Sequence, residues 1–364
     1  MHDPRLVAII DSNTAHAEKV GHVLKSYYNM DFYDDGAAAL TAMRGRIPAV
    51  IVVAPHVKPQ GSDTCITQIL HDPALKDRPI IYIAENEIDP QTDTIKALGV
   101  QTILTKPYTP GTLIKTVSRQ ISGNVEKTWE SLEETPRKAL QNSIEAFRCI
   151  SDVLITGESI AFDDVKTSCQ PLVDVVESND FTAILDGVRD HDDYTYAHSM
   201  RVATLLTLLG HAAGFKRADQ LIMSSGGLLH DVGKMKIPHN ILNKPGRLTE
   251  SEFEIMKSHV PETMTYLEHA GNIPKGVMII AEQHHEKIDG TGYPHGLKGK
   301  ELNELARMAA IVDVFSALTD RRVYKEPMES AKAMQIITEE MTGHLDQHYV
   351  KLFRGVLIDA GILV

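Results

Sequence analysis

The sequence predicts a multidomain chain, with an N-terminal α/β doubly wound unit followed by an all-α unit. Three observations predict this. Short apolar runs alternate with helix-like stretches over about the first 120 residues, whereas beyond Asp190 nearly all the patterning is helical. The chain is also longer, at 364 residues, than one ordinary core accommodates.

Taken in order, Leu6 to Ile10, Val50 to Val53, Ile80 to Ile83 and Thr102 to Leu104 are short apolar runs suited to buried parallel strands. Between them, Ala15 to Tyr28, Gly36 to Gly45, Asp63 to His71 and Gln91 to Leu98 have helical character. Such βα alternation implies a doubly wound sheet. From Val125 to about Asp190, Trp129, Leu132, Leu140, Ile144 and Ile150 are loosely spaced as on amphipathic helices, and Pro136 starts or interrupts one of them. This stretch reads either as a connector that pairs with its copy in a dimer or as an extra helical layer, since no heptad repeat is sustained. The expected boundaries are 1–122 for the α/β domain, 123–190 for the helical connector and 191–364 for the all-α domain.

Composition narrows the function classes. A 43% hydrophobic content is that of a globular protein, and no apolar run approaches the ~20 residues that cross a bilayer. The first residues lack the charged and apolar regions of a signal peptide, so the expected location is cytoplasmic, without membrane insertion. Cys65, Cys149 and Cys169 are far apart and form neither a disulfide framework nor a thiolate zinc site. A net charge of −12 disfavours nucleic acid and anionic membrane, which demand a basic surface, but leaves room for a small anionic substrate held by local cations.

The chemistry lies in the second half. His198, His230, Asp231, His259, His284, His285 and Asp313 are imidazoles and carboxylates, the donors that divalent first-row metals take. Val202, Leu205 and Leu209 follow His198 at i+4, i+7 and i+11, so its ring shares the inward face of a helix. Val277, Ile280 and Ala281 do the same for His284, and Leu305, Ala309 and Val312 flank the face of Asp313. A lone histidine on an apolar face is usually a hydrogen-bonded core residue. Seven such groups in succession point instead to a buried metal centre. Gly290-Thr291-Gly292 lacks the third glycine of a dinucleotide fingerprint, Gly233-Lys234 is not in a P-loop, and His284-His285-Glu286 is not the zincin order.

The run His284-His285-Glu286-Lys287-Ile288-Asp289-Gly290-Thr291-Gly292-Tyr293-Pro294, with His230-Asp231-Val232-Gly233-Lys234 upstream, resembles the HD-GYP family of cyclic di-GMP phosphodiesterases. The resemblance covers roughly Asp190 to Met341. It implies an HD-superfamily domain in which Asp231 bridges two divalent metal ions. One would add His198, His230 and Asp313, and the other His259, His284 and His285. Iron or manganese suits such a set, and zinc or nickel could occupy the same ligands. Metal binding lowers the pKa of water toward neutrality and so supplies a nucleophile. By the same resemblance Lys234 binds the scissile phosphate, Arg322 and Lys325 are further phosphate contacts, and cyclic di-GMP is opened to pGpG and perhaps on to GMP. Tyr293 would stack on a guanine or present its hydroxyl, or would simply pack in its loop, and that loop is linked to contacts with diguanylate cyclases. Tyr194 stands where some family members carry a Glu that helps to hold a third metal, which favours a two-metal centre. The other readings are a different HD-superfamily nucleotide phosphohydrolase and a noncatalytic cyclic di-GMP sensor or cyclase-binding protein.

The first 120 residues are similar to response-regulator receiver domains, with Lys106-Pro107 matching that family's Lys-Pro after the last strand. Ala54 stands where a receiver has its phosphoacceptor Asp, the acidic pair is reduced to Asp11 followed by Ser12, and Ala84 ends the fourth strand. Alanine has no oxygen to phosphorylate, so the expectation is a pseudo-receiver that regulates without phosphoryl transfer, in a chain that forms a homodimer.

Overall fold

The structure is a computed structural model that describes residues 5–25, 27–156, 161–244, 246–320 and 327–363. Two compact units divide the chain, Met1–Lys127 and Thr128–Val364.

The first unit is a five-stranded parallel sheet of β1 (Leu6–Ile10), β2 (Asn29–Tyr33), β3 (Val50–Val53), β4 (Ile80–Ala84) and β5 (Thr102–Thr105). The strand order β2-β1-β3-β4-β5 is that of the flavodoxin-like doubly wound fold to which receivers belong. Every residue of β1, β3 and β4 is buried, as both faces are covered by α1 (Thr14–Leu24), α2 (Gly36–Gly45), α3 (Ser62–His71), α4 (Gln91–Ala97) and α5 (Pro110–Thr128). Asn13 and Asp35 cap α1 and α2, their side chains accepting from the amides of His16 and Ala38. Two elements differ from the sequence expectation. The helix expected to reach Tyr28 stops at Leu24, and the polar segment after it is β2, an edge strand whose residues are only partly buried or exposed. α5 continues 19 residues to Thr128 on an apolar stripe of Leu113, Ile114, Val117 and Ile121.

The second unit is helical, running through α6 (Glu134–Thr156), α7 (Phe162–Glu177), α8 (Phe181–Gly187), α9 (Tyr194–Ala212), α10 (Arg217–Leu229), α11 (His239–Leu242), α12 (Glu250–Lys257), α13 (His259–Ala270), α14 (Lys275–Gln283), α15 (Glu304–Thr319), α16 (Ser330–Glu339) and α17 (Gln347–Asp359). α9 and α15 are buried almost all round and form its centre, with α6, α7 and α10 packed outside. The segment from Trp129 to Val188 contributes to the same hydrophobic core, through Trp129, Leu140, Phe147, Leu172 and Ile184. Trp129 is buried, and its indole donates to the carbonyl of Gly187 at 2.9 Å while its ring stacks on His191. No described helix is long and apolar enough to cross a membrane.

Candidate metal centre

Each of the seven ligand candidates stands at a helix end or in a central helix, where the backbone fixes its direction. Asp193 caps α9 by accepting from the amide of Tyr196, so that helix begins at Tyr194 and carries His198 in its second turn. His230 closes α10, Asp231 follows it, His259 opens α13, His284 and His285 follow α14, and Asp313 projects from α15. All but His285 are buried.

Together they form two adjoining clusters. Ligand atoms of Asp231, His259, His284 and His285 lie within 4.8 Å of one another, as do those of His198, His230 and Asp313. Asp231 faces both. Its Oδ1 is 3.3 Å from Nε2 of His259 and 3.7 Å from Nε2 of His284, while its Oδ2 is 3.3 Å from Nε2 of His230 and 3.5 Å from Nε2 of His198. Two donors each about 2.1 Å from one cation are separated by about 3–3.5 Å, so these spacings fit shared coordination.

The donors are also prepared electronically. His230, His259 and His284 give their Nδ1 protons to the carbonyls of Gly227, Met256 and Ala281 at 2.7, 2.6 and 2.9 Å. That selects the tautomer with a lone pair on Nε2, as ligating histidines require. Those three Nε2 atoms and Oδ1 of Asp231 are buried without a hydrogen-bond partner. Orphaned acceptors of this kind are expensive in a core unless a cation satisfies them, so the donor set fits divalent metal.

Burial pushes His259 down to about 4 and His285 to about 3, and holds His284 well below the usual imidazole range. His230 is buried as deeply, but the carboxylates of Asp231 and Asp313 overcome that penalty and raise it to about 9. His198 is raised as well, its desolvation outweighed by hydrogen bonds to Asp313 and Asp320. Asp231 and Asp313 stay ionised well below the usual carboxylate range despite burial, because imidazoles surround both and the Lys234 ammonium pairs with Asp231.

Three residues that sequence reasoning passed over support this geometry. Asp320 accepts from Nδ1 of His198 at 2.6 Å, and Nε of Arg201 braces its other oxygen at 2.6 Å. Glu286 is buried, and its carboxylate accepts from the amides of His295, Gly296 and Leu297 at 2.6, 3.1 and 3.0 Å, which ties down the loop after the His pair. Their spacing along the chain gives no signal of this, since a single charged residue in helical or loop text carries no pattern.

Other expected residues are placed as follows. The Tyr293 ring is 4.7 Å from that of His285, centroid to centroid. Its loop folds so tightly that a Cβ on Gly292 would lie 2.4 Å from the Lys287 amide nitrogen and 2.5 Å from the Glu286 Cα. Gly233 likewise sits against α13, where a Cβ would be 2.1 Å from the His259 carbonyl oxygen. Tyr194 stacks on the His198 ring at 5.7 Å. Arg322 and Lys325 lie outside the described residues.

In the first unit, the receiver-type polar positions are engaged with other neighbours. Asp11 is buried and accepts from the Asn13 amide at 2.8 Å and from His16 Nδ1 at 2.5 Å, His16 Nε2 meets the Tyr108 hydroxyl at 2.9 Å, and Lys106 pairs with Glu85 at 2.9 Å. Ala54 and Ala84 stand at the strand ends.

Comparison with known proteins gives concordant results. Residues 184–349 match the HD domain family model. The chain is 39% identical over 168 residues to a cyclic di-GMP phosphodiesterase of Pseudomonas aeruginosa, an alignment covering 46% of this chain and 40% of that protein. It is 28% identical to a "Probable cyclic di-GMP phosphodiesterase" of Vibrio cholerae, covering 95% of this chain and 76% of the relative. Among solved structures, an HDG"Y"P protein from Bdellovibrio bacteriovorus superposes with a TM-score of 0.52 at 19% identity, over 67% of this chain and 80% of that one, a likeness of fold. The chain thus spans less than half the length of the Pseudomonas relative.

Proposed function

We propose that this chain, whose residues 184–349 are an HD domain, is a metal-dependent phosphodiesterase that opens cyclic di-GMP to linear pGpG. The observation that carries the reading is Asp231, with one carboxylate oxygen turned to each histidine cluster and, around it, buried imidazole Nε2 atoms that lack a hydrogen-bond partner.

Under this reading two divalent cations would be held, one by Asp231, His198, His230 and Asp313 and the other by Asp231, His259, His284 and His285. Iron or manganese is the expected pair. Such ions supply Lewis acidity and a water of lowered pKa at the scissile phosphorus. The chain's own groups do the rest. Lys234, three residues after Asp231, brings a mobile ammonium to the non-bridging oxygens of the phosphate. Arg322 and Lys325 are assigned the same role from their place in the sequence. The loop held by Glu286 sets Tyr293 against His285 at the mouth of the centre, where it orients the nucleoside. Asp320 and Arg201 hold the His198 ring in register.

The N-terminal unit, residues 1–122, is assigned a regulatory role without phosphoryl transfer, joined through residues 123–190 to the catalytic segment 191–364. Both partner assignments, a homodimer and contacts to diguanylate cyclases, belong to this proposal. The test is product identification by chromatography after incubating metal-loaded protein with cyclic di-GMP, beside Asp231→Ala and His230→Ala. The expected result is pGpG from the parent chain and none from either variant. Binding without turnover by fully loaded protein would make this a sensor and sink the enzymatic reading.

A further inference from the structure

We propose that Phe253 and Lys257 on α12 form a purine subsite that selects guanine, a deepening that rests on the cyclic dinucleotide reading above. A cavity of about 400 Å³ opens beside the metal centre, with Phe253, Lys257, Tyr293 and His285 on one side and Met341 and Leu345 among its other walls. That volume lies within the ~300–1,000 Å³ typical of small-molecule sites.

α12 has no buried residue, and Phe253 on it is 45% exposed, with part of its ring open to the cavity. Its ring lies edge to face with Tyr293, at 6.1 Å between centroids and 86° between planes. Tyr293 in turn touches the candidate ligand His285 at 4.7 Å. A continuous line of rings therefore runs from the proposed cleavage point to Phe253. A diester held at the histidines carries its nucleoside along that line, where the exposed face of Phe253 offers a stacking surface.

Stacking alone accepts any base. The ammonium of Lys257 adds a criterion, since it lies over both rings, 5.4 Å from the Phe253 centroid and 5.8 Å from that of Tyr293, where it can reach a base entering between them. Guanine presents two acceptors there, O6 and N7, to which a lysine can donate together, whereas adenine presents a donor at N6 beside N7. An ammonium has no acceptor for the adenine amino group. Lys257 currently pairs with Glu254 at 2.7 Å, and because the Glu254 side chain is 69% exposed that pair exchanges cheaply for a base.

The test is equilibrium binding by calorimetry on metal-loaded full-length protein, using the slowly hydrolysed bisphosphorothioate analogues of cyclic di-GMP and cyclic di-AMP. Phe253→Ala should weaken both by about ten-fold or more, with recovery in Phe253→Tyr, in line with base–aromatic stacking elsewhere. Lys257→Met should lower the guanine over adenine preference by about five-fold or more, with Lys257→Arg retaining it. Phe253→Ala binding both analogues as the parent does, an unchanged preference in Lys257→Met, or a parent chain that binds neither analogue would each overturn the subsite. If the parent binds cyclic di-GMP with these variant effects yet releases no product from it, the hydrolase reading fails while the subsite stands.

Discussion

The Asp320 carboxylate lies 2.6 Å from Nδ1 of His198, while Nε2 of the same ring lies 2.9 Å from Asp313. One imidazole is thus fixed from behind by an acid that faces no cluster and aimed at another that does. Carboxylate–histidine pairs of this kind orient metal ligands and raise their basicity.

Asp320→Asn keeps the shape of that partner but removes its charge. It should lower activity by about 10- to 100-fold, with reduced metal retention at the His198 side. Metal content per chain after dialysis, read by plasma emission, gives the outcome independently of turnover. Parent-like metal content together with parent-like activity would rule out the orienting role.

Gly233 tests the packing that brings α13 to the centre. With a Cβ forced to 2.1 Å from the His259 carbonyl oxygen, Gly233→Ala should destabilise the helical unit by about 1–3 kcal/mol or more. Gly123→Ala in α5, where a Cβ meets nothing, should be stabilising by about 0.5–1 kcal/mol. Thermal melting distinguishes the two, and a Gly233 variant melting with the parent would contradict the close approach.

The metal-free protein should be most stable near pH ~6.5, the ordinary imidazole value. His259, His284 and His285 resist protonation when folded, so as pH falls below that value the unfolded chain gains protons the folded one refuses. Stability is lost toward about 4 for His259 and about 3 for His285. His198 and His230 act oppositely. Their raised affinity for protons contributes stability below ~6.5 that is lost as pH rises toward about 9 for His230. Trp129 is the chain's one tryptophan and lies in the helical unit, so its fluorescence in urea with EDTA reports the relevant midpoint. A midpoint climbing steadily to pH ~9 would contradict the sign worked out for His230 and His198.

The three thiols should separate by burial. Cys149 is exposed, whereas burial raises both Cys65 and Cys169 to about 11. A disulfide reagent at neutral pH should modify Cys149 rapidly in the native protein and the other two only after denaturation. Rapid native labelling at Cys169, assigned by peptide mass, would contradict the packing of α7.

Much of this architecture is legible in the sequence because it depends on residue type. The runs at Leu6, Val50 and Ile80 are continuous and apolar, and a strand buried on both faces has no other text. β2 escaped because an edge strand has one open side and needs no such run; Asn29 and Asp31 fit it while reading as loop. The seven residues chosen for ligand chemistry all lie in the two clusters, since imidazoles on apolar stripes are conspicuous. Asp320, Arg201 and Glu286 were not conspicuous. Their significance lies in what they face across the fold, over 122 residues for Asp320 and His198, and spacing along a chain does not encode that.

Lys234 has one ammonium, and in the free protein it is spent on Asp231. Its three N–H donors are shared between that carboxylate and any anion it meets, so the pairing weakens its hold on a phosphate. Under the proposed function, a cation held by Asp231 would compete with the lysine for that carboxylate and leave more of the ammonium's charge for an anionic substrate. Loading and anion binding would then be coupled, and a chain without its cations should hold the dinucleotide more weakly than a loaded one.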